Sequence, residues 1–467
     1  MAIDFRHPEY DKYLPVWQEI NDISKMENVE KYLLTLNPHD TSPENRQRNE
    51  QYRARAIFNP VLQHTVEGMN SMLFSKWPEL EVPAQLEYHK INCDGSGNSI
   101  YQQSQQVSLD LIRTSRAGLA VGFPRTDGTV SMADISSGNI FASIQRYDAR
   151  QIINWRKTNI GYRSVLSLVV LLESYQELGS DGYSFEEKQQ IKEMFIRYGK
   201  YSERLWRQNK KGEWEVFDEY SPLDGSGNYW EEIPFTFVGA ENNDVSVNNP
   251  KMKGLSKLNI GLYRNSADYE DNVWFVGQTQ PWMSGITQEH INMLKENNMY
   301  VGSRNLLGVP QGETFGFASA PHNPLIRQAM LDKIDQMVML GARLLMVTAS
   351  NRTATEVEGE REVQHSTLSL ISSNLSEAYT KAIQWCGRYM NANTDDAYYK
   401  TTMDFKTHSM DANELRAIME GFIQGAIPVS DFHDYLKKRD LTDKEKTLEQ
   451  FQEELNVVRG IPDFEVA

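Results

Sequence analysis

Chemistry in a chain of this kind shows first as acids, nucleophiles or metal ligands at fixed spacings. Few such sets occur in these 467 residues. Gln288-Glu289-His290 resembles part of a zinc-protease helix, where two histidines on one face hold the metal beside a glutamate base. No second histidine stands at the required spacing. The nine histidines are scattered, and none lies three or four residues from another. Asp395-Asp396 suggests paired carboxylates for metal-assisted hydrolysis, but it lacks a third acid at useful spacing and reads as a solvated loop. Gly95-Ser96-Gly97 and Gly225-Ser226-Gly227 look like phosphate cradles. Neither lies between a strand and a helix with a lysine, so turn glycines are expected. There is no G-x-x-x-x-G-K-[ST] phosphate loop and no G-x-S-x-G elbow. Cys93 and Cys386 are far apart in sequence and read as small hydrophobes rather than a disulfide. Asn351-Arg352-Thr353 and Asn374-Leu375-Ser376 match glycosylation acceptors by chance, given no sign of a secretion route. The expectation is a protein that is not an enzyme, with no cofactor and no metal.

Bulk properties narrow the class. The length allows two or three domains with conventional cores, and 24% charged residues is ordinary for a soluble protein. No apolar run reaches the length of a membrane span, and the first residues, MAIDFRHPEY, lack the pattern of a secretion signal. A net charge of −16 argues against a surface that grips nucleic acid. It fits a surface past which DNA slides, since an acidic lining repels a duplex while leaving it mobile.

The elements that would position any site change character twice along the chain. Residues 1–115 read mainly as helices with polar loops. One charged amphipathic stretch begins at Pro43 and runs to about Phe58, another helix starts at Pro60, and a third covers 101–115. From Arg116 the period becomes two. Strands are predicted at 119–123, 141–147, 152–155, 164–173, 195–207, 213–219 and 235–239, separated by glycine turns.

After Pro250 helices return. Ser256 is the expected N-cap of a helix ending at Gly277, with Leu258, Leu262, Ser266, Tyr269, Val273 and Val276 on one stripe. A strand at 281–286, a helix from Thr287 to about Asn298 and a hairpin within 306–318 follow. Asn323-Pro324 then predicts a helix with asparagine as N-cap and proline at N1, striped by Ile326, Met330, Ile334, Met337, Gly341 and Leu344. At about 23 residues that helix would rise roughly 35 Å. Residues 348–355 are small and polar, a loop. Beyond them Leu368, Ile371, Leu375, Ala378, Ala382, Trp385 and Tyr389 recur at alternating intervals of three and four, predicting a buried seam on a helix over 356–390. From Asp411 two or three charged amphipathic helices follow, broken at 425–428 and 439–442.

Four local patterns in this order carry a resemblance. They are AGLAVGF (117–123) with RYDARQIINW (146–155); IPFTFVG (233–239) leading into Gly254-Leu255-Ser256; NIGLYRNSADYE (259–270) continuing to GQTQPWMSG (277–285); and Thr353-Ala354-Thr355 with the Ser-, Leu- and Ala-rich helix 364–382. Together they span about 115–390, and in them the chain resembles the portal proteins of tailed bacteriophages, in a branch long catalogued as a phage family of unknown function.

The resemblance implies an α+β portal-type fold in a ring, usually dodecameric. Residues 1–253 would form a mixed wing, 254–278 and 323–346 two stem helices, and 279–322 a small α/β clip. Residues 347–358 would be the tunnel loop, 359–410 a long tunnel helix returning to the wing, and 411–467 a helical crown. The implied partners are further copies of the chain, double-stranded DNA held without sequence preference, the terminase large subunit, a head–tail adaptor and the major capsid protein, with no membrane. The implied place is the portal vertex of the virion, after synthesis in the host cytoplasm. Lys333, Arg343, Asn351 and Arg352 are the candidates for touching DNA in the channel, with Thr348, Ser350 and Thr353 in the tunnel loop. Lys333 and Arg343 could instead pair with Asp332, Asp335 or nearby glutamates. The stem and tunnel stripes look too long for one protomer to cover, so neighbouring copies should bury them. Two other classes stay open: a different head–tail connector or minor capsid assembly protein, and an enzyme such as a nuclease built on the β-rich module.

Overall fold

Helix α1 (Pro8–Lys25) begins with proline at N1, where the missing N–H costs nothing, and the His7 ring accepts the Glu9 N–H at 3.2 Å. Trp17, Ile20 and Ile23 recur along its inner face and are fully buried. Ser42 caps α2 (Pro43–Arg55) through the Asn45 N–H, and α3 (Val61–Leu73) follows. In α4 (Ile100–Thr114) a capping box satisfies both ends of the first turn, Ser99 accepting from the Gln102 N–H and Gln102 accepting from the Ser99 N–H. The computed structural model describes residues 3–125, 140–179, 181–277, 280–285, 287–289, 292, 314–318, 324–340, 354–403, 427–438 and 446–452, with backbone alone at 354–366 and a few single positions.

Two antiparallel sheets follow the helices. In the first, β2 (Arg116–Gly122) lies between β3 (Ser143–Asp148) and β9 (Phe235–Gly239). Every residue of β9 is buried, and so are the first six of β2. The second is a meander of β4 (Ile152–Ile160), β5 (Arg163–Leu178), β6 (Phe185–Arg197), β7 (Lys200–Gln208) and β8 (Trp214–Tyr220). Then come α5 (Lys253–Gly277), β10 (Gln280–Ser284) paired antiparallel with β11 (Thr314–Ala318), α6 (Leu325–Met339) and the 37-residue α7 (Ala354–Met390). The chain returns as β12 (Tyr398–Lys400), which pairs with β1 (Glu79–Glu81). The fold is α+β.

Contacts divide the chain into two compact units, Met1–Met403 and Asp404–Ala467. In the second, α8 (Val429–Lys438) buries Phe432 and His433, whose rings lie 6.3 and 4.9 Å from that of Phe451. Among the described residues no helix is long and apolar enough to cross a membrane.

Several expectations need correction. Ser256 does not cap α5, which starts three residues earlier. It is fully buried inside the helix and donates to Glu19 at 3.1 Å. The stretch 195–207 is not one strand but the end of β6, a turn at Tyr198-Gly199 and all of β7 except its last residue. Strand β6 reaches back to Phe185, and apart from that ring the outer residues, Glu186 to Gln190, are polar and exposed or half-buried on both faces. Pro324, expected at N1, is itself the N-cap of α6. The seam of α7 is not left for a neighbouring copy. All seven predicted residues, from Leu368 to Tyr389, are at most 5% exposed within one protomer. They are covered by α4, β2, β9 and β12 of the same chain.

Candidate functional site

The predicted site consists of one described residue, Lys333, and six others. Arg343, Thr348, Ser350, Asn351, Arg352 and Thr353 lie outside the described residues. What the structure supplies is the scaffold on either side of them, helices α5, α6 and α7.

Helix α5 is fixed to α1, α2 and the segments around them by a series of polar side chains between Lys257 and Asp271. Lys257 pairs with Glu19. Asn259 is fully buried; its carbonyl accepts the Leu62 N–H and its amide donates to Asn59 O, both at 2.9 Å. Arg264 donates to Tyr32 O at 2.8 Å, and Ser266 to Ile57 O at 2.6 Å. Tyr52 donates to Asp268 at 2.6 Å, and burial together with that carboxylate raises the phenol above its usual range. Asp271 accepts from both Arg48 and Arg55, and the Arg55 guanidinium lies 4.0 Å over the Trp274 ring. Between these ties sits a small apolar cluster of Leu33, Tyr52, Tyr263 and Ala267. The stretch NIGLYRNSADYED is therefore a docking face, with polar and apolar positions alternating at helical spacing. Past it the helix is bare, with Val273, Trp274 and Phe275 exposed.

Helix α6 lies antiparallel along α5. A Cβ at Gly254 would stand 3.7 Å from Leu340, and one at Gly261 would stand 3.0 Å from Lys333 Cε. Seven residues forward on one helix match seven back on the other. Ile326, Met330, Ile334 and Met337 form the inner face of α6 as predicted, with Met337 fully buried. Leu331 and Met339 on other faces are exposed. The Lys333 stem covers Gly261, an arrangement that buries the methylenes and leaves the ammonium at the surface. Among the described residues no carboxylate pairs with Lys333, neither Asp332, which accepts from Gln328 at 2.8 Å, nor Asp335.

Helix α7 is held at its far end by hydrogen bonds as well as by its seam. Asn374 donates to Gly239 O at 2.8 Å, Tyr379 to Gln103 at 3.0 Å and Trp385 to Glu232 at 3.0 Å. The 224–228 turn caps its C-terminus, with the Gly225 N–H donating to Arg388 O at 2.9 Å. A side chain at Gly225 would press within 2.7 Å of backbone atoms of Tyr389 and Asn391, so only glycine fits there.

Both suspected phosphate cradles are turns whose amides are already satisfied. Asn92 accepts from the N–H groups of Gly95 and Gly97, and Asp224 accepts from those of Ser226 and Asn228. Cys93 and Cys386 are buried free thiols. Asp395 and Asp396 lie in an exposed loop. Among the described residues no three His, Cys, Asp or Glu side chains are grouped so as to hold a metal.

The docking face of α5 was missed as a set of interactions, although its spacing was visible. Its partners are some 200 residues away in sequence, and nothing local identifies them.

No curated protein matches the chain. Among solved structures it is similar to a chain in the virion of a native gene transfer agent (GTA) particle, with 11% identity, 89% of this chain and 93% of that one covered, and a TM-score of 0.42. It is also similar to chains from the neck of an empty GTA particle computed with C6 symmetry and of a native GTA particle computed with C12 symmetry. Each is 10% identical over 87% of this chain and 91% of that one, with TM-scores of 0.41 and 0.42. At such scores the likeness decides neither fold nor function. Residues 251–390 match a family described as a domain of unknown function, DUF4055. That stretch, less than a third of the chain, runs from the start of α5 to the last residue of α7.

Proposed function

We propose that copies of this chain close into a ring and serve as a phage portal: a structural, non-catalytic head–tail connector of the virion through which double-stranded DNA passes. The observation that carries the reading is an order of elements. An antiparallel helix pair, braced on the globular part at one end, carries the β10–β11 strand pair at the other. A helix of 37 residues then follows and returns to the sheets. That is the order the sequence resemblance implies for stem, clip, stem and tunnel helix. A braced pair repeated around an axis makes a wall.

In this reading 1–253 is the wing, 254–278 and 323–346 the stem, 279–322 the clip, 347–358 the tunnel loop, 359–410 the tunnel helix and 411–467 the crown. Lys333, unpaired among the described residues, meets phosphate in passing, together with Arg343, Asn351 and Arg352. Thr348, Ser350 and Thr353 let the loop change shape. Contacts with the phosphate backbone leave a duplex free to slide, whereas base readout would stall it. With no phosphate loop of its own, the chain relies on a terminase large subunit docking at the clip, later replaced by a head–tail adaptor. The wing meets the major capsid protein. Synthesis is in the host cytoplasm.

Negative-stain micrographs of the purified chain test the reading. Closed rings, of about twelve subunits by the resemblance, with a channel wide enough for a duplex are expected. A folded monomer at every concentration and salt would overturn it. Rings too narrow for a duplex would favour another connector or minor capsid protein.

A further inference from the structure

The β4–β8 sheet presents a pair of basic turns at one end and an acidic two-stranded arm at the other, and the reading above uses neither. One end is formed by the β4–β5 and β6–β7 turns. Residues 156–163 and 197–200 hold five cations and no carboxylate, in a chain of net charge −16. Arg156, Lys157, Arg163, Arg197 and Lys200 are all exposed, and none is ion-paired among the described residues. Arg197 lies 5.3 Å over the Tyr198 ring and Lys200 3.7 Å over that of Tyr229. Tyr162 and Tyr198, at the tips of the two turns, are almost wholly exposed.

At the other end β5 and β6 outrun their neighbours. Strand β4 stops pairing at Ile152↔Leu171 and β7 at Gln190↔Arg207, while β5 and β6 stay paired to Leu178↔Phe185. Residues 175–188 therefore form a two-stranded arm that reaches roughly 15 Å beyond the sheet at about 3.3 Å per residue. The arm carries Glu177, Asp181, Glu186 and Glu187 against one cation, Lys188. Leu178, Tyr183 and Phe185 at its tip are 74%, 93% and 60% exposed. The tip is nonetheless built, since Asp181 accepts from the Tyr183 and Ser184 N–H groups at 3.0 and 2.8 Å. A two-stranded hairpin standing alone is marginal, and bare apolar side chains at its end mark a contact surface.

We infer that the acidic arm of one copy docks, head to tail, on the basic turns of an adjacent copy. The two surfaces are complementary in charge, both carry exposed rings, and they lie at opposite ends of the same sheet. Such a contact is heterologous, so it runs in one direction around an assembly and leaves no unpaired surface once the ring closes. Many charges acting together with apolar burial give the register that single exposed ion pairs do not. The inference rests on the self-assembly proposed above and names the surfaces that carry part of it.

Charge reversal in the full-length chain tests it by sedimentation. Glu177→Lys with Glu186→Lys and Glu187→Lys should weaken assembly roughly tenfold or more at low salt, and so should Arg156→Glu with Lys157→Glu and Arg163→Glu. An equimolar mixture of arm-reversed and turn-reversed chains should restore assembly, because in alternation every arm meets turns of opposite charge, and all six changes in one chain should return assembly to within about threefold of the parent. Circular dichroism confirms folding, and Gln replacements serve wherever a reversal does not fold. Parent-like assembly of either triple variant overturns the inference, as does failure of the sixfold variant to recover. If only the turn reversal has an effect, and it weakens binding to duplex DNA rather than assembly, the basic end serves nucleic acid and the inference fails. A parent chain that is itself monomeric rejects the ring reading instead.

Discussion

Lys333 lies across Gly261, so close that a Cβ on the glycine would come within 3.0 Å of the lysine Cε. This contact, with that of Gly254 and Leu340, sets the register of the α5–α6 pair. The atom in the way is the far end of a flexible side chain. Gly261→Ala should therefore be neutral or stabilising by up to about 1 kcal/mol, since alanine favours the helix and the lysine tail can swing aside. Gly261→Leu should destabilise by about 1–3 kcal/mol, because a branched side chain cannot be accommodated without parting the helices. Urea midpoints of the two variants check the pair, and equal effects would refute the close approach.

Asp271 ties α5 to both Arg48 and Arg55. Asp271→Ala should cost about 1–2 kcal/mol, a value kept low because the Arg48 side chain is partly exposed. Hydrogen exchange should quicken along the second half of α5 more than along its first half. A double-mutant cycle with Arg48→Ala should return a coupling of about 1 kcal/mol.

His89 is fully buried, and neither ring nitrogen has a hydrogen-bond partner among the described residues. Burial lowers its pKa to about 3 from an ordinary 6.5. Below pH 6.5 the unfolded chain takes up a proton that the folded chain refuses, so the contribution is complete above that pH and is lost as pH falls toward 3. At pH 5 the loss is about 2 kcal/mol, from 1.36 kcal/mol per pH unit over the interval below 6.5. The difference in unfolding free energy between pH 7 and pH 5 should be smaller by that amount in His89→Leu. An unchanged difference would show that the ring is protonated in the folded state.

Replacing Lys333, Arg343 and Arg352 together with Gln should lower DNA packaging or retention roughly several-fold while leaving ring formation intact, as expected for passing phosphate contacts. Deleting residues 350–353 should likewise give rings whose particles package or hold DNA poorly. Unchanged packaging in the triple variant removes these residues from the channel, and normal infectivity after the deletion makes the loop a simple connector.

Some of this architecture was legible from side-chain spacing, and the exceptions have physical causes. The seam of α7 could be read because its seven residues are apolar and face one way; spacing could not say whether the cover came from the same chain or from another copy. The outer half of β6 was missed because a strand shows its period only when one of its faces is buried. Ser256 misled because serine favours N-caps, yet burial of Leu255 and the bond to Glu19 draw both residues into the helix. Of the candidate site, Lys333 could be named from sequence as a basic side chain on the second stem helix, beside Asp332 and Asp335. Its seat over Gly261 could not, because that depends on the register of two helices joined by a long insertion.

The cap on α7 gives that helix a second use. A helix of 37 residues is about 55 Å long and resists compression along its axis. Its C-terminal carbonyls abut the 224–228 turn, where Gly225 leaves no slack against Tyr389 and Asn391. The helix is thus a strut with a fixed seat, and a thrust applied at Ala354 is delivered to the turn that leads out of β8.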